Sequence, residues 1–159
     1  MWVSLLKSLK LVPQEPGVYI IRWTKNDKPV SIPRILGVDE KGILYIGSAN
    51  DLRKRLRKLI RGLKRPSPKM HTASLSYYFF RLHEHIKIHE LEVSWVIFKD
   101  RREAEEQEWI ALRYYADKYG EAPPLNRALG RKKFLILGIT ELGVRLAPRP
   151  DPRLAQLIG

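Results

Sequence analysis

Cysteine is absent from this chain of 159 residues. Its absence excludes disulfide bonds, zinc sites built from thiolates and catalysis by a thiol nucleophile, and it fits an intracellular, cytoplasmic location. Acidic residues are scarce: 17 Asp and Glu stand against 30 Lys and Arg, which gives a formal net charge of +13. Such an excess attracts polyanions, of which nucleic acid is the commonest and an anionic membrane the runner-up. Because the basic residues are clustered, we favour nucleic acid as the partner.

Long apolar stretches are missing as well. No run approaches the ~20 residues that a helix needs to cross a bilayer. Lysines interrupt the leucines near the start, which is unlike a secretory signal peptide. We therefore expect a soluble protein with no membrane partner, large enough to bury the core of one domain without covalent cross-links.

Apolar periodicity and turn residues predict three strands and two main helices. Residues 1–16 are expected to form a helical lead-in, residues 17–130 the main domain and residues 131–159 a C-terminal extension with an apolar run at 134–139. The order of elements predicts an α/β fold in which a small three-stranded mixed sheet is flanked by helices in a sandwich. The predicted strands cover residues 17–23, 43–46 and 91–98, and the helices cover about 51–63 and 100–119, with a mainly helical connection over 72–88.

Two tripeptides stand out, because residues 17–19 read Gly-Val-Tyr and residues 45–47 read Tyr-Ile-Gly. Each alone is weak, since Gly and Tyr beside β-branched residues fit many strands. Together, and with Arg55 ten residues after the second tyrosine, they resemble the GIY-YIG nuclease signature. The resemblance implies a metal-dependent endonuclease that hydrolyses phosphodiester bonds, in DNA rather than RNA.

The resemblance assigns roles to the tyrosines. Tyr19 would act as general base with Tyr45 as its partner, both hydroxyls pointing at one spot on the sheet. A free tyrosine has a pKa of ~10, so the base would need a nearby cation or metal-bound water. Gly47 suits a turn or the close approach of a ligand to the backbone.

Arg55 falls where the family places its catalytic arginine, whose guanidinium can fork onto phosphate oxygens. Its basic neighbours on the same predicted helix suit a stripe that binds the substrate backbone or, equally, a solvated helix face. The predicted substrate-binding residues are Gly47, Arg53, Arg57, Lys58 and Arg61.

The resemblance implies a glutamate metal ligand on the long predicted helix, where several glutamates compete. Glu108 falls within an apolar stripe, where an ionised carboxylate is unfavourable unless it is paired or bound to a metal. Glu105 lies on the flank of the stripe and is the reserve candidate; an ion pair with a basic neighbour is the alternative reading of Glu108. A single carboxylate suits Mg²⁺ or Mn²⁺, which keep several waters.

Asn126 follows the long helix after two prolines and matches the last element of the family motif. It would hydrogen-bond a tyrosine or the phosphate and hold the site together, although Asn is also a common turn residue. His71 lies in a basic loop, and in some relatives a histidine near this region assists catalysis.

Two departures from the family pattern affect the expected substrate. The long gap between the tyrosines implies an insertion, residues 32–40, that would shape substrate access. No separate DNA-binding module is evident, so we expect selection of a branch or flap rather than a sequence. Two alternatives stay open: a catalytically silent nucleic-acid-binding module of the same fold, and a basic accessory protein of a larger nucleoprotein assembly.

Overall fold

The computed structural model of this protein describes residues 1–127 and 149–159. The predicted apolar run at 134–139 lies outside the described residues, as does most of the predicted C-terminal extension. Among the described residues, no helix has the length and apolar character to span a bilayer.

The centre of the sheet is strand β2, its longest strand, which pairs with another strand on each side. β2 (Gly17–Lys25) pairs with β6 (Ile43–Ala49) on one side and with β7 (Leu91–Ile97) on the other. These are the three strands that the apolar runs predict, and the observed ends differ slightly from the predicted ones. Side chains alternate between the two faces of a strand, and both faces of β2 are buried.

Two short strands enlarge this sheet. β1 (Val3–Ser4) pairs with β7, and β3 (Lys28–Pro29) pairs with β2. The α/β class is confirmed, but the sheet has five strands, and every pairing within the described residues is antiparallel rather than mixed. β6 and β7 run in the same direction, but they do not pair with each other. β2 lies between them and runs in the opposite direction.

The lead-in also differs from the predicted helix. Only a single 3-10 turn, Ser8–Lys10, is helical before β2, because Val3 and Ser4 pair with β7 instead. The leucines that suggested a helix still serve the core, since Leu5 is fully buried. The lead-in is therefore packed into the main fold.

Helices cover both faces of the sheet. α1 (Leu52–Lys64) and α2 (Thr72–Phe79) pack on one face, and α3 (Arg101–Tyr119) and α4 (Pro152–Ile158) pack on the other. Local signals set the helix ends: the Asp51 carboxylate accepts the Lys54 amide at 2.8 Å, as a helix N-cap does. Two 3-10 turns, Leu82–Glu84 and Ile88–Glu90, complete the connection from α2 to β7.

The predicted insertion forms a separate hairpin of β4 (Ile32–Arg34) and β5 (Gly37–Asp39). It packs at the C-terminal end of α3, where the Leu36 amide donates to the Tyr119 carbonyl at 3.0 Å. The buried carboxylate of Asp39 accepts the Tyr115 hydroxyl at 2.8 Å. The hairpin therefore braces α3 at the end farthest from Glu108.

Candidate active site

Tyr19 and Tyr45 project from neighbouring strands onto the same face of the sheet. Tyr19 on β2 lies directly opposite Gly47 on β6, and residues 45 and 47 share a face because the side-chain period of a strand is two. The two rings lie with their centroids 5.8 Å apart. The structure thus brings together the two tyrosines that the sequence singles out.

Gly47 is explained by these tyrosines. A Cβ atom at this position would lie 3.0 Å from each of the two hydroxyl oxygens and 2.5 Å from a ring carbon of Tyr45. Any side chain here would displace both rings. The glycine therefore makes room for the tyrosine hydroxyls, and it is not among the residues that line the cleft described below.

His71 completes this buried cluster. Its Nε2 atom lies 2.7 Å from the Tyr19 hydroxyl oxygen, and its Nδ1 atom accepts the Ala73 amide at 3.0 Å. Since Nδ1 accepts, the neutral ring carries its proton on Nε2 and donates it to Tyr19. Burial, followed by the charges of Arg55 and Lys58, lowers the pKa of His71 to about 3. The ring is therefore neutral near pH 7.

The two tyrosines differ in their access to solvent. Tyr45 lines a surface cleft, whereas Tyr19 is fully buried behind it. Burial and then Tyr45 raise the pKa of Tyr19 well above its usual value. Burial and then Glu108 raise the pKa of Tyr45, while Arg55 and a hydrogen bond from Tyr19 act in the opposite direction. Neither phenol ionises near neutrality without further positive charge.

Arg55 lies on the inner side of α1 beside the tyrosines. Burial opposes its charge, but the neighbouring tyrosines and Glu108 outweigh that effect and raise its pKa. Its Nε atom is buried and has no hydrogen-bond partner among the described residues. A buried donor without a partner is unfavourable, so the described residues leave part of the hydrogen-bonding capacity of this guanidinium unused.

Glu108 reaches the same cleft from α3, on the other face of the sheet. Its carboxylate accepts the hydroxyl of Ser48 near the end of β6. Burial raises its pKa, and Ser48 and Arg55 act against that shift. No ion pair to Glu108 is found within residues 1–127 and 149–159, whereas Glu105 pairs with Arg101 at 2.8 Å. This contrast favours Glu108 over Glu105 as the available carboxylate.

The donor set around Glu108 suits one kind of cation. The described part of the chain contains no group of three or more His, Asp or Glu that could enclose a metal ion. A single carboxylate at an open cleft fits Mg²⁺ or Mn²⁺, which retain waters and take phosphate oxygens as further ligands. It does not fit a closed structural zinc site.

Asn126 braces the outer edge of β6 between Tyr45 and Gly47. Its Nδ2 donates to the Ile46 carbonyl at 2.8 Å and its Oδ1 accepts the Ile46 amide at 3.0 Å. The side chain lines the cleft, but both amide atoms are bonded to backbone rather than to a tyrosine. Its structural effect is to hold the strand that carries Tyr45.

The cleft is large and strongly basic. It encloses about 1590 Å³ between α1, the loop that follows it, the end of β6 and α3. Of the residues that the structure describes, ten basic ones line it against three acidic ones, a distribution that attracts the phosphates of a nucleic acid. The basic residues are Lys54, Arg55, Arg57, Lys58, Arg61, Lys64, Arg65, Lys69, Arg101 and Arg127, and the acidic residues are Asp51, Glu105 and Glu108.

The structure separates the predicted substrate-binding residues into two groups. Arg57, Lys58 and Arg61 line the cleft. Arg53 does not, because its Nε donates to the Val12 carbonyl at 2.8 Å and so ties the lead-in to α1. The predicted insertion, residues 32–40, also contributes nothing to the cleft lining.

Two polar residues of the site, His71 and Ser48, lie outside the predicted catalytic, substrate-binding and metal-binding residues. His71 caps the helix that follows it, because its Nδ1 accepts a backbone amide of the first turn. Its position directly before a predicted helix is the sequence signal that indicates this buried role. Ser48 directly follows Gly47, but nothing local indicates its partner, since Glu108 lies 60 residues away.

No model of a known protein family matches the chain, and no curated protein matches it. Among solved structures, the chain is similar to the GIY-YIG N-terminal endonuclease domain of UvrC from Thermotoga maritima bound to its catalytic magnesium ion, with 25% identity, a TM-score of 0.40, and coverage of 77% of this chain and 94% of that one. A point mutant of that domain, bound to its divalent cation, is similar at 25% identity and a TM-score of 0.41, covering 78% and 96%.

Proposed function

We propose that this protein is a divalent-metal-dependent endonuclease that hydrolyses phosphodiester bonds in DNA within the basic cleft. One juxtaposition among the described residues carries the proposal. Arg55 with its unpartnered Nε, Glu108 without an ion pair there, and the Tyr45 hydroxyl meet at a cleft that ten described basic residues line. Phosphodiester hydrolysis requires charge stabilisation, a metal ligand and a proton acceptor, and these three groups supply them.

Substrate binding is assigned to the α1 side of the cleft. Arg57, Lys58 and Arg61 would neutralise backbone phosphates and hold the strand along the helix. Arg55, which lines the cleft, would donate a hydrogen bond from its guanidinium to an oxygen of the scissile phosphate. That hydrogen bond strengthens as negative charge develops on the oxygen in the transition state.

We assign the proton transfer to Tyr45. It lines the cleft, so its oxygen can reach a water that attacks a bound phosphate. Tyr19 and Arg55 stabilise the phenolate of Tyr45, since both lower its pKa. This assignment exchanges the roles that the resemblance implies, because Tyr19 has no exposed surface and its hydroxyl oxygen already accepts a hydrogen bond from His71.

Glu108 would hold the metal ion, with waters and phosphate oxygens as the remaining ligands. When bound, Mg²⁺ or Mn²⁺ would supply Lewis-acid stabilisation of charge on the phosphate and the leaving oxygen. Ser48 holds one carboxylate oxygen of Glu108 and so orients the carboxylate toward the cleft. A positive charge there would also offset the effect of Glu108 on the Tyr45 pKa.

A catalytically silent DNA-binding module is the second candidate, favoured by the high pKa of both tyrosines in the structure as described. The basic cleft serves either function. The two candidates differ in whether Tyr45, Arg55 and Glu108 at the cleft wall catalyse hydrolysis of the bound DNA.

The test is cleavage of duplex, single-stranded, flapped and branched DNA, and of the matching RNAs, with Mg²⁺, Mn²⁺ or a chelator. Wild type is compared with Glu108→Ala and with Glu106→Ala, a matched variant on the exposed side of the same helix. We expect metal-dependent cleavage that is lost in Glu108→Ala and kept in Glu106→Ala. Binding without cleavage by the wild type would establish the silent module instead.

A further inference from the structure

An exposed aromatic pair marks the C-terminal end of α2. Phe79 and Phe80 are 70% and 53% exposed, and their rings meet edge to face with centroids 5.2 Å apart. The preceding Tyr77 and Tyr78 turn inward and bond to backbone carbonyls. Two adjacent large aromatic rings on a surface indicate a contact site.

The pair is joined to the basic cleft through Arg127. This arginine lines the cleft, its guanidinium carbon lies 5.7 Å from the centroid of the Phe79 ring, and its Nε donates to the Ser76 hydroxyl at 3.2 Å. A cationic group therefore bridges the cleft wall and the first aromatic face. A phosphate held at Arg127 would place the neighbouring base beside Phe79.

The distance from the cleft suits a nucleic-acid strand. α2 begins at Thr72, which also lines the cleft, and Phe79 lies seven residues farther along the helix. At ~1.5 Å per residue this separation is about 10 Å, or about three stacked nucleotides at ~3.4 Å each. A strand leaving the cleft past Arg127 would thus cross the aromatic pair.

We propose that Phe79 and Phe80 form a stacking platform for unpaired bases of the DNA strand that leaves the cleft, a role that rests on the proposed function. Aromatic side chains beside a basic groove bind single strands because every base has a face that stacks on a ring. Paired bases inside a duplex do not offer those faces. The platform therefore selects DNA with an unpaired segment next to the bond in the cleft.

A second exposed apolar pair provides a matched control. Ile35 and Leu36 at the tip of the hairpin are 71% and 65% exposed. They are aliphatic, they lie beside Gly120 at the far end of α3, and they do not line the cleft. Truncating them removes similar apolar surface without touching any surface that a bound strand would cross.

The experiment measures binding by fluorescence anisotropy in the presence of a chelator, so that cleavage plays no part. Labelled single-stranded DNA, blunt duplex and a flapped duplex are titrated with wild type, Phe79→Ala/Phe80→Ala and Ile35→Ala/Leu36→Ala. Loss of base stacking should weaken single-strand and flap binding at least about tenfold in the phenylalanine variant, with duplex binding changed less than about twofold. The hairpin variant should match wild type on all three probes.

Two further readouts keep the proposal open to refutation. Substitution by Phe79→Trp/Phe80→Trp should retain single-strand affinity, and photo-cross-linking of an oligonucleotide carrying 5-iodouracil should label Phe79 or Phe80. Equal losses on duplex and single strand, or no loss on either, would overturn the platform. Concentration-dependent self-association of the wild type that disappears in Phe79→Ala/Phe80→Ala would assign the patch to contacts between copies instead.

The platform and the nuclease can fail separately. Single-strand binding that depends on the two phenylalanines, in a protein that never cleaves, would support the platform and refute the nuclease. Metal-dependent cleavage with single-strand binding unchanged in Phe79→Ala/Phe80→Ala would support the nuclease and refute the platform.

Discussion

Alternate residues of β2 enter two different cores. Val18 and Ile20 pack against α3 and α4 in a core that is almost wholly apolar, whereas Tyr19 and Ile21 pack toward α1 and α2. The second core also contains Tyr45 and lies against His71 and Arg55, and its buried hydroxyl and imidazole groups are hydrogen-bonded. Both faces of the strand therefore bury apolar side chains, but only the α1 side also holds polar groups in a fixed geometry beside the cleft.

This difference separates stability from function. Buried apolar contacts contribute mainly to folding free energy, while buried polar groups gain little net stability from their hydrogen bonds. Substitutions on the two faces should therefore affect different measurements, namely the free energy of unfolding on one face and the cleavage rate on the other.

The largest effect is expected from removing one hydroxyl on the polar face. Tyr45→Phe should reduce the cleavage rate by about 10²- to 10⁴-fold, because it removes the proposed proton acceptor, while unfolding free energy changes by about 1 kcal/mol. The control is Tyr78→Phe, whose hydroxyl bonds to the Leu63 carbonyl outside the cleft. Single-turnover kinetics at saturating metal measure the difference. If Tyr19→Phe alone lost activity and Tyr45→Phe kept it, the assignment of the base would return to Tyr19.

The opposite result is expected on the apolar face. Ile20 is fully buried, so Ile20→Ala should lower the free energy of unfolding by about 2 to 5 kcal/mol through lost contacts and a cavity. Cleavage per folded molecule should stay close to wild type. Urea denaturation gives the first quantity and active-site titration the second. A large loss of activity in fully folded Ile20→Ala would show that the two faces are coupled.

The pH dependence of stability should identify the buried histidine of the polar face. An unfolded His71 binds a proton below about pH 6.5, whereas in the folded protein its pKa is lowered to about 3 by burial and by neighbouring positive charge. Between these two pKa values the unfolded state binds more protons than the folded state. Protonation of His71 therefore lowers the free energy of unfolding as the pH decreases.

The comparison is with His71→Gln, which keeps a side-chain donor for Tyr19 but does not titrate. From pH 6.5 to pH 5 the wild type should lose about 2 kcal/mol more unfolding free energy than the variant. Denaturation curves at a series of pH values measure this difference. Parallel pH profiles for the two proteins would contradict a neutral buried imidazole.

The smallest effect concerns two arginines on α1. Arg57 lines the cleft, whereas Arg53 is bonded to the Val12 carbonyl. Arg57→Ala should weaken DNA binding a few-fold and reduce the slope of log affinity against log salt by about 0.9, the value for one phosphate contact. Arg53→Ala should leave that slope unchanged and lower stability instead. Titrations at several salt concentrations distinguish the two.

Much of the local structure could be predicted, because it depends on neighbours in the chain. Asp51 and Asp100 cap α1 and α3, and Gly120 ends α3 with φ of 79°, at the positions that the capping residues indicate. The lead-in was predicted wrongly as a helix, since its pairing partner β7 begins 88 residues later. Propensity could not reveal that partner.

The candidate site shows the same division. Tyr19, Tyr45, Arg55 and Glu108 were selected by motif spacing and helix periodicity, and the structure brings them to one place beside the cleft. Their sequence positions did not indicate which tyrosine faces solvent, nor that Arg53 is engaged by the lead-in. Those facts depend on the strand register and on contacts between distant segments.

By itself, the sequence determined the strands of the central sheet, the caps of its main helices, the basic character of the α1 surface and the residue types available for chemistry. Each of these follows from the side chains present and their spacing along one element. The tertiary structure alone decided that His71 donates to Tyr19 across 52 residues and that Glu108 is held by Ser48 while Glu105 is paired. Hydrogen-bond partners and burial, and therefore pKa values, are properties of the packed chain because they depend on which groups folding excludes from water.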